Sequence, residues 1–383
     1  MRRSITLTAL IIITLLFSAA TAAALPVSKE VAGGDELNVK EMILHHLADS
    51  YEWHITGNGE KDLSIPLPVI LRSQRSGWHL FLSSRLHHGE ESYHGFRIAS
   101  EGRYAGKIVE VRHDGADSRP LDLSLTKNAA SLLFSSLLLI LLVLAAARSV
   151  SRDPLKPKKG LAGLMEMAVV MIEDELIKPT VGKDYARYSP YLLTLFFFIL
   201  INNLLGLIPL FPGGANVTGN IAVTLVLAVT TFLVVNFTGS REYYREIFWP
   251  DVPVWLKVPF PLMPIIEVVG LFTKPFALMI RLFANIMAGH AIVLGLTSLI
   301  FVSVSLGSTI NASMTAASVL FTVFINFVEL LVAFIQAYVF TLLSAVFIGL
   351  ARVEPHAARS GEHTPTNKKT KQIEQNSLQD INH

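Results

Sequence analysis

One stretch constrains this chain more than any other. Residues 262–305 are apolar enough for a bilayer, yet Glu267, Lys274, Arg281 and His290 stand inside that apolar background. An ionisable side chain at the bilayer centre costs roughly 2.5–3.5 kcal/mol on insertion scales, so such residues are rare and mark ion or substrate paths. Four on one segment exceed what packing alone explains.

Their spacing has a pattern. Glu267 and Arg281 are fourteen residues apart, close to four helical turns, so they fall near one face of a helix. Asn285 follows one turn after Arg281, and Gly270, Ala277, Ala284 and Ala288 keep that face slim. His290, nine residues from Arg281, points to the opposite side. Glu267 to His290 covers 23 residues, or roughly 34 Å of helix, about the thickness of the hydrocarbon. A carboxylate near one surface, a fixed cation at mid-depth and an imidazole towards the other surface form a route suited to protons.

Composition agrees. The chain is 51% hydrophobic and 16% charged, with a mean hydropathy of +0.49, values that belong to integral membrane proteins. A net charge of +2 gives no field for nucleic acid, and the absence of cysteine excludes disulfides, thiol catalysis and thiolate metal sites. No G-x-x-x-x-G-K-[ST] loop is present to hold a nucleotide, and no cofactor is expected.

The beginning has Arg2 and Arg3, an apolar run and small residues at Ala22–Ala24. It reads as a signal peptide over 1–24, with a retained first helix as the alternative. Residues 25–128 read as a small extracytoplasmic α+β domain. A helix is expected within 37–51, and strands at Ile65–Leu71, Trp78–Leu82, Lys107–Arg112 and Leu121–Leu125. The domain holds eight of the twelve histidines, including His45–His46 and His87–His88, but no ligand spacing repeats, so a solvated surface is preferred over a metal site.

About five transmembrane helices follow in 129–350. The first, Ala129–Ala147, ends in Arg148, Arg152, Lys156, Lys158 and Lys159, which marks the cytoplasmic side. Leu161–Ile177 carries Glu166, Glu173, Asp174 and Glu175, too much charge to span, and reads as a cytoplasmic or interfacial helix. Tyr191–Pro209 and Gly219–Phe237 are the next spans, joined by the uncharged turn FPGGANVTG and followed by Arg241, Arg245 and Lys257. The stretch 262–305 and the last span, Ala316–Leu350, are long enough to require tilt, a break or extension past the bilayer. The tail 351–383 is hydrophilic and expected disordered in the cytoplasm. The fold class is thus an all-α polytopic membrane protein with two long tilted C-terminal helices and an N-terminal extracytoplasmic domain.

The intramembrane charge lies in the last two spans only. In the fifth, Ser318, Thr322, Asn326, Glu329 and Gln336 recur at helical intervals as one polar stripe. Ordinary interhelical hydrogen bonding accounts for Ser318 and Thr322 as readily as a path does; it accounts poorly for Glu329. Antiparallel packing of the two spans would bring Gln336 to the depth of Arg281 and Glu329 towards His290. A carboxylate beside an imidazole can relay protons.

A secondary transporter would show matched halves, and the charge here is confined to the C-terminal part. A haem-carrying subunit needs several intramembrane histidines, and His290 is the only one in the apolar segments.

The runs KPFALMIRLFANIMAGHAI (274–292), FINFVELLVAFIQAYVF (324–340) and INNLLGLIP (201–209) resemble subunit a of the F-type ATP synthase over about 130–350. The motif R-L-F-x-N-x-x-A-G in such a helix is highly specific, whereas the signal peptide and the large extracytoplasmic domain resemble a bacterial subgroup. The resemblance implies a non-catalytic, proton-conducting stator subunit of the inner membrane with two half-channels, beside a c-subunit ring, b-type peripheral stalk subunits and an F1 ATPase head. It implies that Arg281 is the essential arginine, with Asn285 one turn on and Gln336 accompanying it. Glu267 would lie on the cytoplasmic-side path, and His290 and Glu329 would form the outer-side pair in exchanged order. Asn203, Pro209 and Asn326 are structural or channel-lining candidates. Gly206 stands where some relatives have Asp, and no proton role is assigned to it.

Overall fold

The computed structural model describes residues 49–56, 63–74, 76–89, 91–100, 102–111, 117–152, 158–208, 213–249 and 262–352. The expected signal peptide, the bulk of the helix over 37–51, Pro209 and the tail from 353 lie outside them; Asp49–Tyr51, which are described, are not helical.

The first part is strand-rich. It comprises β1 (Glu52–Thr56), β2 (Leu63–Pro66), β3 (Pro68–Ser73), β4 (Gly77–Leu82), β5 (Phe96–Ile98), β6 (Ile108–Val111), β7 (Asp117–Ser118) and β8 (Leu121–Asp122). They form three small antiparallel sheets, ordered β1-β2, β4-β3-β8 and β5-β6-β7. The expected single strand Ile65–Leu71 is divided at Leu67 between two sheets. Pro66 and Pro68 flank that residue, and proline cannot supply a ladder N–H. Period-two alternation in β3 turns Val69 and Leu71 inward, where they pack with Tyr51, Leu86, Phe96 and Ile108. The Tyr51 hydroxyl donates to the Asp122 carboxylate at 2.5 Å. Burial, then that carboxylate, pushes the phenol well above its ordinary range.

The rest is helical: α1 (Lys127–Arg152), α2 (Gly160–Met171), α3 (Lys178–Val181), α4 (Tyr185–Leu207), α5 (Ile221–Thr238), α6 (Arg241–Phe248), α7 (Leu262–Val302) and α8 (Ser308–Ala351). Five helical runs among the described residues are long and apolar enough to cross a membrane. The expected interfacial helix does not stand apart. A π-helical turn at Ile172–Ile177 and a 3-10 turn at Gly182–Asp184 join α2 and α3 to α4, making one run over Gly160–Leu207. Glu166, Glu173, Asp174 and Glu175 all lie in the first third of that run, where Lys178 pairs with Asp174 at 2.5 Å.

The last two helices have 41 and 44 residues, or roughly 60 Å and 66 Å of helix. Both exceed a hydrocarbon core of about 30 Å, so neither can stand upright within it. Helix α8 is central and packs against α7, α4, α5 and α3. Its inward face is lined by Ala333, Ala337, Thr341, Ser344 and Ala345, all buried, and such small residues let helix backbones approach. At Gly349 a Cβ would fall 2.4 Å from the Thr180 carbonyl oxygen, so only glycine fits the α8–α3 crossing. The basic end is tied by Arg352, which donates to the Asp184 carboxylate and, at 3.3 Å, to the Thr238 carbonyl. On α1, Leu133, Leu137, Ile140 and Leu141 stay exposed, as expected of a lipid-facing helix at the rim.

Candidate polar path along the last two helices

Helices α7 and α8 form an antiparallel hairpin through a 3-10 turn at Ser303–Leu306 and Gly307, whose φ of 103° favours glycine. Within the turn region Ser303 donates to the Asn311 side-chain oxygen at 2.8 Å. The hairpin brings His290 Nδ1 to 3.4 Å from Glu329 Oε1. Gly289 makes this approach possible: a Cβ there would lie 2.7 Å from Glu329 Oε1. Counting seven residues away from the turn on each helix pairs Gln336 with Phe283, two positions from Arg281 in sequence.

Arg281 itself lies on another face. Leu278, Leu282, Ile286 and Val293 turn into the protein and are buried, whereas Ala277, Arg281, Ala284, Asn285 and Ala288 form an exposed strip. Among the described residues Arg281 has no ion-pair partner. A guanidinium is therefore presented on a slim strip whose other members are three alanines and Asn285. Gln336 and Asn326 are buried on α8.

Around His290 the site is assembled from distant segments. A Cβ at Gly206 would stand 3.7 Å from His290 Nε2 and 3.6 Å from the Ala215 carbonyl oxygen. Asn203, one turn earlier on α4, donates its side-chain amide to the Ala333 carbonyl at 3.1 Å and is buried. Asn216 donates to Met287 Sδ at 3.4 Å. Ser135 on α1 donates to Asn202 at 2.8 Å. Among the described residues, five buried polar atoms in this half have no hydrogen-bond partner: Asn203 Oδ1, Asn216 Oδ1, Ser318 Oγ, Asn326 Nδ2 and Glu329 Oε1. Buried polar atoms without protein partners ordinarily meet water.

Towards the basic end, Glu267 is half-buried and acts electrostatically on Tyr243 of α6. The Tyr243 phenol is raised above its usual range, first by burial and then by Tyr244 and Glu267. Lys274 rests over the Phe347 ring at 5.7 Å, in a pocket lined by Thr231, Asn236, Tyr243 and Pro275. The structure thus separates the charged residues into two groups on opposite sides of Arg281.

Sequence reasoning missed Asn216, Asn202 and Gly289 as neighbours of this arrangement. The lone amide in an uncharged turn was the one available signal for Asn216. Among the described residues no group of three metal-ligating side chains converges.

Residues 130–349 match the family described as ATP synthase A chain, and residues 42–128 match a domain of unknown function. The chain is 45% identical over 240 residues to "ATP synthase subunit a 2" of Chlorobaculum tepidum, covering 60% of this chain and 64% of that protein. It is 42% identical over 241 residues to "ATP synthase subunit a" of Myxococcus xanthus, covering 62% of this chain and 75% of that one. A relative of the same name from Anaeromyxobacter sp. is 36% identical over 340 residues, 87% of this chain and 74% of that protein. The chain therefore spans about two thirds to three quarters of the length of these relatives.

Proposed function

The chain belongs to the ATP synthase A chain family, and from that premise we propose that it is the proton-conducting stator subunit of an F-type ATP synthase. Two half-channels reach mid-membrane from opposite sides and are kept apart by Arg281. The exposed Arg281 strip carries this reading. A cation without an acid partner among the described residues, on a face of alanines, has the shape and charge to meet an acid on a closely passing partner.

That partner is a ring of c subunits bearing a membrane carboxylate. Protons enter from the outside along the row of unpaired polar atoms and reach the His290–Glu329 pair. From there they neutralise a ring carboxylate, which can then face lipid. After nearly a full turn the carboxylate arrives at Arg281 from the other side. The guanidinium remains charged at any relevant pH, so it favours the ionised carboxylate and drives proton release. The proton leaves past Glu267. Asn285, one turn on, and Gln336 accompany Arg281, and Asn203, Asn326 and Pro209 are the structural or channel-lining candidates. Each charge crossing 100 mV is worth about 2.3 kcal/mol, which rotation delivers to an F1 head held by b-type stalk subunits. Nucleotide chemistry belongs to that head, so this chain is not itself the catalyst. In this reading 1–24 is a removed signal peptide, 25–128 lies outside, 129–350 forms the stator and 351–383 is cytoplasmic, in a bacterial inner membrane.

The test is coupled ATP synthesis and ATP-driven pumping by the assembled complex. Arg281→Ala abolishes both, and Arg281→Lys fails to restore them, because an ammonium is a more strongly hydrated point charge without the planar fork. Robust coupling in the alanine variant rejects the assignment.

A further inference from the structure

We propose that the strand-rich part rests the open face of its β4-β3-β8 sheet on the lipid surface beside α1, where it binds anionic headgroups. This needs only that α1 crosses the bilayer. It is independent of the stator reading and of the side on which the sheet lies.

The sheet departs from the pattern of a solvated surface. An antiparallel sheet at a protein exterior packs one face and turns polar residues out on the other. Here Val69, Leu71 and Phe81 occupy the packed face. The opposite face carries Trp78, Leu80 and Leu82 of β4, with Leu121 and Leu123 on the far side of β3. Each of these five is half or more exposed, Leu80 to 74%. The register joins them into one patch. Arg72 pairs with both Trp78 and Leu121, and Ile70 pairs with Leu80 and accepts the Leu123 N–H at 3.0 Å. A contiguous exposed apolar patch of this kind marks a protein or membrane contact.

Continuity with α1 favours the membrane. The Leu125 N–H donates to the Pro68 carbonyl at 3.0 Å, level with Leu82, and α1 begins two residues later at Lys127. Leu123 is four residues from Lys127, at most about 14 Å of chain, so the patch starts within reach of the headgroup layer that the helix end enters. The strand-rich part is also held down there. The Lys127 N–H donates to the Ser50 carbonyl at 2.8 Å, and the Asn128 N–H to the Asp49 carboxylate at 3.0 Å. Trp53 packs with Ala215 and Val217 of the loop before α5.

Charge favours the membrane as well. The Arg72 guanidinium lies over the Trp78 ring, 5.5 Å from its centroid, and Arg119, two residues before Leu121, is exposed. Tryptophan and arginine suit an interface, each keeping an apolar body inward and a polar end among headgroups. The nearby acids are engaged elsewhere: Asp122 accepts from Tyr51, and Glu110 accepts from Ser73. A second copy of this face would offer its arginines no acid, whereas an anionic lipid does.

The chain has no cysteine, so one can be introduced and labelled. The full chain carries an environment-sensitive fluorophore at Leu80→Cys, Leu123→Cys or, as a control, Ser100→Cys, an exposed position in the same part. It is reconstituted in phosphatidylcholine vesicles with or without phosphatidylglycerol. At positions 80 and 123 the label loses more fluorescence to a nitroxide-bearing lipid than to aqueous iodide; at position 100 it does the reverse. Phosphatidylglycerol strengthens the lipid quenching at position 80, and Arg72→Gln with Arg119→Gln removes that gain. Should Leu80→Cys fail to fold, Leu82→Cys reports on the same face. An equal reading at all three positions overturns the proposal, whichever quencher it favours. Labels at 80 and 123 shielded from both quenchers also overturn it, because a second copy or the residues before 49 would then be the cover. A phosphatidylglycerol gain that survives the two arginine changes overturns the headgroup assignment. None of these readouts depends on coupling, so they are separable from failure of the stator reading, which Arg281→Ala decides.

Discussion

His290 Nδ1 and Glu329 Oε1 face each other at 3.4 Å across the α7–α8 hairpin, with Glu329 5% and His290 19% exposed. Two groups that can both gain and lose a proton, so close and so buried, fit the proposed relay, and in that reading their order along the path is open to exchange.

Exchanging them is the direct trial. The double variant His290→Glu with Glu329→His retains more coupled activity than either single change, measured as ATP-driven proton uptake into vesicles. A double variant no better than the worse single change shows that the two act separately.

Gly289 offers a steric test of the same contact. A methyl there would fall 2.7 Å from Glu329 Oε1 and 3.0 Å from its carboxyl carbon, so the carboxylate must move. Gly289→Ala lowers proton conduction roughly tenfold or more, the scale of about 1.4 kcal/mol or above on the limiting step, while complex yield is unchanged. Adding Glu329→Asp, which shortens the side chain, restores part of the loss. Equal conduction in Gly289→Ala and the parent excludes a constrained contact.

Gly206 supplies a gain-of-function trial. A side chain there starts 3.7 Å from His290 Nε2. Gly206→Asp in a Glu329→Gln background recovers proton uptake, because a new carboxylate takes up the relay from the α4 side. Absence of any recovery, with normal assembly, places the essential acid at 329 alone.

The strand-rich N-terminal part has its own pH signature. The Tyr51 phenol is raised above its ordinary value near 10. A folded pKa above the unfolded one contributes stability that is whole below pH about 10 and is lost as pH climbs towards the folded value. The domain of the wild-type chain, followed by tryptophan fluorescence against denaturant, therefore loses stability above pH about 10. Tyr51→Phe abolishes that slope and lowers stability near neutrality by on the order of 1 kcal/mol through loss of the Asp122 hydrogen bond. A slope that survives in the variant belongs to another group.

What could be read from the chain alone was local. Transfer free energy is a property of each residue, so hydropathy located the membrane segments, and the helical period put Ser318, Thr322, Asn326, Glu329 and Gln336 on one face; all five are buried together in α8. Arg281 and Asn285 likewise share the slim strip that their spacing to Ala284 and Ala288 indicated. The split of Ile65–Leu71 between two sheets was legible only as two prolines, since pairing partners are not written in a strand's own residues.

The tertiary structure decided which distant positions meet. Gly206 and Ala215 beside His290, Asn203 on Ala333, Gly289 against Glu329 and Trp53 on Ala215 join segments that no spacing rule connects. Helix register and crossing depend on where small side chains let backbones close up, and that is a property of pairs of surfaces. The chain therefore announced which residues bear charge in an apolar setting, and packing alone determined what each of them faces.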